Sequence, residues 1–166
     1  MSEKKIPIDR ILERIRTRLD YQWEENFRRQ GFFNEKWQRT KRPSAHHTLL
    51  DTGHLRESLD SSIHGDTIEF FSDAPYAAIH NEGGTYMVTA RMKRYFWYMA
   101  MGGCEHKDDM EYYKRLALMK VGTKITIPQR RYLGDHPQVR KICEEVITDE
   151  LHRTLGDVKF YFNKMP

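Results

Sequence analysis

Apolar residues near the start of the chain recur every three or four positions among arginine and glutamate residues. They are Ile8, Ile11, Leu12, Ile15, Leu19, Trp23 and Phe27. Because side chains at this spacing share one face of a helix, the pattern predicts an amphipathic helix over residues 7–30. Pro7 is typical of a first helical turn, and Gly31 is placed to end the helix.

A second apolar stripe lies near the end of the chain and predicts another long helix. Its members are Val139, Ile142, Val146, Ile147, Leu151 and Leu155. We expect Asp135 to cap this helix, Pro137 to lie in its first turn and Gly156 to end it. The pattern of the following residues, 157–166, suits either a strand or an ordered arm.

Shorter signals between the two helices predict a hairpin, a strand and single helical turns. Residues 61–72 suit a β-hairpin around Gly65, because two short alternating runs flank a Gly-Asp pair. Residues 124–127 alternate as a strand that Pro128 stops. A turn of helix over residues 76–80 is expected to end at the following glycine pair.

Three further segments complete the predicted order of elements. Residues 53–59 suit a short helix with its leucines facing the core. Residues 86–122 have the pattern of an inserted pair of helices, broken at Gly102-Gly103. Residues 31–52 show no period and predict a long loop or extended arm, a feature that is usually functional or disordered in compact domains.

Together the elements predict an α+β fold, with a long N-terminal helix and a C-terminal helix packed on a small antiparallel sheet, and a helical insertion. About three or four strands are expected, so the sheet needs both amphipathic helices to cover it. The chain has 166 residues, which is room for one domain, and we expect residues 1–166 to form a single one.

Charge is unevenly distributed along the chain. The net charge is +4, from 28 basic and 24 acidic residues, which does not by itself indicate a nucleic-acid footprint. It is the sum of +4 for residues 1–52, −5 for 53–90, +6 for 91–134 and −1 for 135–166. Such alternation suits complementary patches on neighbouring copies, although solvated faces also vary in charge by chance.

Several classes of protein do not fit the composition. No apolar run is long enough to span a bilayer, and the charged start of the chain does not resemble a secretory signal. Two cysteines, Cys104 and Cys143, make no disulfide framework and suit free thiols in a reducing cytosol. We therefore expect no membrane partner.

Candidate catalytic chemistry is weak. No Cys-x-x-Cys or His-Glu-x-x-His spacing predicts a metal site, and no Gly-x-Ser-x-Gly predicts a nucleophile. The pair His80-Asn81 is similar to part of an HNH nuclease motif, but the additional histidine and the aspartate that this motif needs have no counterpart here. We expect no enzyme activity, no cofactor and no bound metal.

Two basic and aromatic segments are candidate binding surfaces. Residues 28–42 mix cations with aromatic rings, which suits either a nucleic-acid backbone or a protein interface, with the interface favoured. Residues 92–101 are rich in aromatic residues and methionine, which suits a core or oligomer contact better than a membrane-surface helix. The candidate interface residues are Trp37, Arg39, Lys41, Arg42, Phe96 and Trp97.

Three segments in order carry a family resemblance. The first is Leu49-Leu50-Asp51-Thr52-Gly53-His54-Leu55. The second runs from Tyr76-Ala77 through His80 to Gly83, and the third is Pro128-Gln129-Arg130-Arg131-Tyr132-Leu133-Gly134 before the last helix. They resemble the L-x-x-T/S-G-x-L, Y-A-x-x-H-x-x-G and P-x-R-x-F/Y-L-G segments of the phage virion morphogenesis family, the Mu G-like tail completion proteins. The chain has Tyr132 where the family commonly has phenylalanine and Gln129 where it commonly has alanine or lysine, and its insertion is long.

The resemblance implies a structural protein of a tailed phage or prophage that acts in tail completion or head–tail joining. It implies self-association as a ring, possibly a hexamer, contacts with neck or tail proteins, and a place in the host cytoplasm during assembly and then in the virion. A nucleic-acid-binding protein using residues 28–42 is the alternative function.

The residues of the three segments all have plausible structural roles. Tyr76 and His80 are four apart and share a helical face, and His80 is expected to donate to a backbone carbonyl near Gly83. Arg130 or Arg131 is expected to reach an acidic neighbour, and Leu133 to pack under the last helix. The motif residues expected to serve the fold are Leu50, Gly53, Leu55, Tyr76, Ala77, His80, Gly83, Pro128, Arg130, Leu133 and Gly134.

Overall fold

A computed structural model of the chain describes residues 6–43, 47–50 and 52–156. Helix α1 spans Ile8–Arg29, and the last helix, α6, spans Pro137–Leu155, so both long helices are confirmed. The cap of α6 is His136 rather than Asp135, because the His136 Nδ1 accepts the Gln138 N–H at 3.1 Å. The expectation for residues 157–166 lies outside the described part.

The strands of the described residues pair two by two, and each pair forms its own two-stranded sheet. Strands β1 (Gly31–Phe32) and β2 (Glu35–Lys36) pair antiparallel, and β3 (Leu59–His64) pairs with β4 (Thr67–Ser72) as the sequence predicts. Strand β5 (Gly84–Met87) pairs antiparallel with β6 (Lys124–Ile127), which Pro128 follows. Two expectations are therefore corrected: the predicted loop 31–52 opens with a hairpin, and a strand stands where the helical insertion was expected to begin.

The remaining helices are short except in the insertion. Helices α2 and α3 span His54–Glu57 and Ala77–Glu82. The expected helical pair consists of α4 (Ala90–Tyr98) and α5 (Lys107–Leu118). A π-helical segment over Met99–Gly103 follows α4, and Gly102 breaks it with a φ of 116°, as the glycine pair predicts. Phe96, Tyr113 and Ala117 are the buried centre of this pair. The α+β class is therefore confirmed.

The described residues form two compact units, and the expectation of one domain stays a prediction. The first unit consists of residues 6–23, 60–71 and 134–156. The ring of Trp23 meets that of Phe70 edge-on in this unit, with 5.8 Å between centroids, and the α1 side chains of Ile11, Ile15 and Leu19 are also buried. Glu150 of α6 is fully buried there, 3.1 Å from Arg10 and also paired with Arg14.

The second unit consists of residues 24–59 and 72–133 and contains the three motif segments up to Leu133. Its core joins residues far apart in sequence, and Leu49, Leu50, Leu59 and Leu133 pack against it. The buried members are Phe27, Trp37, Leu55, Ala74, Ala77 and Tyr132. This core positions the candidate site.

Candidate functional site

The motif segments meet around Tyr132, which is only 2 % exposed. Its ring packs on Phe27 with 5.1 Å between centroids, and its hydroxyl donates to the Ala77 carbonyl at 3.0 Å. Burial raises the pKa of Tyr132 to about 12, so the hydroxyl stays protonated and available as a donor. The second and third segments are thus joined by a buried hydrogen bond.

Two asparagine side chains hold the backbone on either side of this tyrosine. The Asn81 Oδ1 accepts the N–H groups of Tyr132 and Leu133 at 3.0 and 3.1 Å. The Asn26 Nδ2 donates to the Tyr132 carbonyl at 3.0 Å, and its Oδ1 accepts the Phe33 N–H. Sequence reasoning assigned neither residue a role. For Asn26 there was a signal, since asparagine inside a helix is unfavourable without a compensating partner.

The first segment contributes apolar contacts and a turn. Leu55 is 4 % exposed in the core, and Leu50 packs against the same cluster. Gly53 precedes α2 with φ of 77°, a left-handed conformation that suits glycine. Leu133, expected under the last helix, packs against this core. Gly134 follows it at an exposed position.

Close backbone approach explains the glycine that ends the second segment. Gly83 has φ of 75°, and a Cβ atom at this position would lie 2.8 Å from the Gln129 nitrogen. The neighbouring Arg130 N–H donates to the His80 carbonyl at 2.8 Å. Any side chain at position 83 would therefore force the third segment away from α3.

The imidazole of His80 lies near the guanidinium of Arg130. The His80 ring meets the Tyr76 ring edge-on at 5.9 Å, as their shared face predicts. The expected hydrogen bond from His80 is not seen at Nδ1, which is buried with no partner in the described part of the chain. Burial lowers the pKa of His80, and the nearby Arg130 charge lowers this pKa further.

Arg130 also differs from expectation. Its Nε donates to the Gln38 carbonyl at 2.8 Å, and no carboxylate of the described residues pairs with it. The side chain is only 8 % exposed, and burial lowers the pKa of its guanidinium. A buried cation is thus held by a neutral carbonyl rather than by an acidic side chain.

The six candidate interface residues divide by burial. Trp37 lies in the core, where its Nε1 donates to the Arg131 carbonyl at 2.6 Å, and Phe96 is 7 % exposed beside Tyr113. Neither ring lies on the surface of the described chain. The others are the half-buried Arg42, 3.4 Å from Asp109, and the exposed Arg39, Lys41 and Trp97.

A cavity of about 640 Å³ in the second unit is lined by His80 and Arg130 among other residues. It lies among residues 38–41, helix α5 and strand β6, with apolar side chains such as Leu116, Met119 and Ile127 in its wall. Within the described residues, no aspartate or glutamate lines it. We call this cavity the basic groove, after the cations that line it: Arg39, Lys41, Arg115 and Arg130.

Comparison with known families matches most of the chain. The model of the phage virion morphogenesis family aligns with residues 9–152. This chain belongs to the phage virion morphogenesis family. No curated protein and no solved structure shows significant similarity to it. Membership of this family indicates a structural role in phage assembly.

The family match spans all three motif segments and the helical pair between them. Within residues 6–43, 47–50 and 52–156, no cluster of histidine, cysteine, aspartate or glutamate is arranged to hold a metal ion. None of the helices in those residues is long and apolar enough to cross a membrane. For this family member, the motif side chains described above make packing contacts and hydrogen bonds within the fold.

Proposed function

We propose that the chain is a non-catalytic structural protein that completes the tail or joins head to tail during virion assembly. The observation that carries this proposal is the family match over residues 9–152. In this proposal the protein is made in the host cytoplasm, self-associates as a ring and then becomes part of the tail or the head–tail junction. Its direct contacts are neck or tail proteins.

The hydrogen bonds around Tyr132 support a structural rather than a chemical use of the motifs. Asn81, Tyr132 and Gly83 each serve a contact between two chain segments. Because these side chains are engaged within the fold, partners must be recognised by other residues. Exposed aromatic and apolar side chains on the insertion are suited to that task, among them Tyr95, Trp97, Tyr98 and Met101.

A gene disruption tests the assembly role. A stop codon at Trp23 in the phage or prophage genome is expected to leave heads and tails that do not join, seen by electron microscopy of induced lysates. Supplying the intact gene from a plasmid should restore whole virions. Normal, infectious virions from the disrupted phage would contradict the proposal.

Light scattering on the purified protein tests self-association separately. We expect a mass above that of one 19.9 kDa chain, increasing with protein concentration. A single-chain mass at every concentration would contradict self-association while leaving the assembly role to the genetic test.

Nucleic-acid binding by residues 28–42 is the second candidate. The exposed Arg39 and Lys41 favour it, since cations on a surface segment suit phosphate contacts. Against it, Phe32 and Trp37 are buried and present no ring for base stacking. The test is a mobility shift at low and high salt with Arg39→Glu/Lys41→Glu, against Arg91→Glu/Arg94→Glu as a matched control. Binding that only the first variant loses would support this candidate.

A further inference from the structure

We propose that the basic groove binds the acidic β3–β4 hairpin of a second copy of this chain. The proposal rests on the self-association proposed above and names the surfaces that would carry it. It is based on an excess of positive charge in the groove, an excess of negative charge on the hairpin, and apolar side chains on both.

The groove has cations without counter-charges. Arg39, Lys41 and Arg115 are exposed, and within the described residues no carboxylate pairs with them or with Arg130. Burying a guanidinium without an anion is costly, because the lost hydration is only partly replaced by the Gln38 carbonyl. A carboxylate delivered from outside would provide the missing opposite charge.

Arg130 is directed at the groove together with His80, whose buried Nδ1 has no partner within the described part of the chain. The same two residues also line an adjoining cavity of about 400 Å³, so they lie where the two cavities meet. Tyr86 and Tyr112 line both cavities, and burial raises the pKa of each hydroxyl, which keeps it protonated as a donor. The polar groups here are therefore mostly suited to bind an oxyanion.

The hairpin has the opposite character. Residues 57–73 contain five carboxylates and no lysine or arginine. Asp60, Asp66 and Glu69 are exposed, and no cation of the described residues pairs with them. The unneutralised charge of the hairpin thus complements that of the groove in sign.

The apolar side chains of the hairpin also match the apolar wall of the groove. Along β4 the exposed positions alternate with half-buried ones, so Glu69 and Phe71 lie on one face of the strand. Phe71 is 41 % exposed, so its ring is accessible to an apolar surface on another chain. A strand that presents a carboxylate beside a phenyl ring matches a groove with cations beside Leu116, Met119 and Ile127.

Two other occupants fit less well. Residues 157–166 of the chain contain one aspartate and two lysines, which is the wrong net charge for a basic groove. A nucleic acid supplies phosphates but no aliphatic or phenyl group for the apolar wall. The hairpin of a second copy is the occupant that satisfies both the charge and the apolar surface.

Charge reversal on each side tests the pairing. The groove variant is Arg39→Glu/Lys41→Glu/Arg115→Glu, and the hairpin variant is Asp60→Lys/Asp66→Lys/Glu69→Lys. Control variants reverse the same number of exposed charges away from both surfaces. They are Arg91→Glu/Arg94→Glu/Lys107→Glu and Glu24→Lys/Glu105→Lys/Glu144→Lys. Sedimentation velocity at low and high salt measures association, and thermal melting establishes that each variant folds.

We expect each reversed variant alone to associate at least about tenfold more weakly than the wild type, and the controls to associate like it. An equimolar mixture of the groove and hairpin variants should recover association, because reversed surfaces then match reversed surfaces. Recovery in the mixture is a readout that misfolding would not produce.

Three results would overturn the inference, and they are distinguishable. If the wild type associates and the groove variant associates equally well, the pairing is wrong but self-association stands. If the wild type has the mass of one chain at every concentration, self-association and the pairing both fall. If the groove variant loses only a salt-dependent mobility shift with a DNA oligonucleotide, the groove binds nucleic acid instead.

Discussion

The side-chain oxygen of Asn81 accepts the backbone N–H of Tyr132 at 3.0 Å, across 51 residues of sequence. The same oxygen accepts the Leu133 N–H, so one amide fixes the path of the third motif segment. This side chain therefore holds the segment before α6 against α3. Because asparagine is polar, the pattern of apolar residues gives no sign of its position.

Replacing Asn81 by alanine is expected to lower the free energy of unfolding by about 2 kcal/mol, because two backbone N–H groups lose their acceptor. Asn81→Asp should cost less, since a carboxylate still accepts both. Urea denaturation measures the change, with Asn34→Ala in an exposed turn as control. Equal free energies of unfolding for Asn81→Ala and Asn34→Ala would contradict the claim that the Asn81 side chain stabilises the fold.

Gly83 provides a second stability prediction. Gly83→Ala introduces a Cβ 2.8 Å from the Gln129 nitrogen at a φ of 75°. Gly65→Ala is the matched control, since its φ is 62° and nothing lies within 4 Å of its added Cβ. We expect Gly83→Ala to be less stable than the control by about 2 kcal/mol, because only it combines strain with a clash. Equal losses of stability for the two variants in urea denaturation would contradict the close approach of Gly83 to Gln129.

The lowered pKa of His80 makes stability depend on pH. Below its ordinary value of 6.5 the unfolded chain takes up a proton before the folded chain does, so His80 lowers stability as the pH falls. Its effect is absent well above that value. We expect the melting temperature of His80→Gln to fall less steeply than that of the wild type between about pH 7.5 and pH 5.

The control for this experiment is His64→Gln, at an exposed position of the hairpin. It should retain the slope of the wild type. A direct check is an NMR titration of the His80 ring, which should give a pKa below 6.5. A slope in His80→Gln identical to that of the wild type would show that this imidazole does not titrate as its surroundings imply.

Adjacent aromatic residues on α4 should behave differently. Phe96→Ala removes a ring that is 7 % exposed and packed beside Tyr113, so about 3 kcal/mol of stability should be lost. Trp97→Ala, at a side chain that is 40 % exposed, should cost less than about 1 kcal/mol. Chemical denaturation of the two variants measures this difference. A larger loss for Trp97→Ala would reverse the assignment of core and surface.

Much of the helical architecture was predictable because it is periodic. The stripes of α1 and α6 and the alternation around Gly65 each lie within a short stretch of sequence. Strand β5 was not predictable in the same way, since its partner β6 begins 37 residues after β5 ends and only the pairing makes Gly84–Met87 a strand. Strands β1 and β2 have two residues each, too few to show a period.

The polar residues of the site were harder to predict than the apolar ones. Motif resemblance indicated Tyr76, His80 and Arg130, but not which groups they contact. Trp37 has the composition of an interface residue and is buried, because its indole N–H finds the Arg131 carbonyl. Glu150 continues the spacing of Ile142 and Val146, and its burial depends on arginines about 140 residues away. Such partners are not visible in a local window.

That ion pair has a consequence for synthesis. Arg10 and Arg14 are among the first residues of the described chain to be translated, and Glu150 is among the last. The first helix therefore emerges from the ribosome before the partner of Arg10 and Arg14 has been made. Completion of the first unit must therefore wait for the synthesis of α6, and a chain without this helix leaves Arg10 and Arg14 without Glu150.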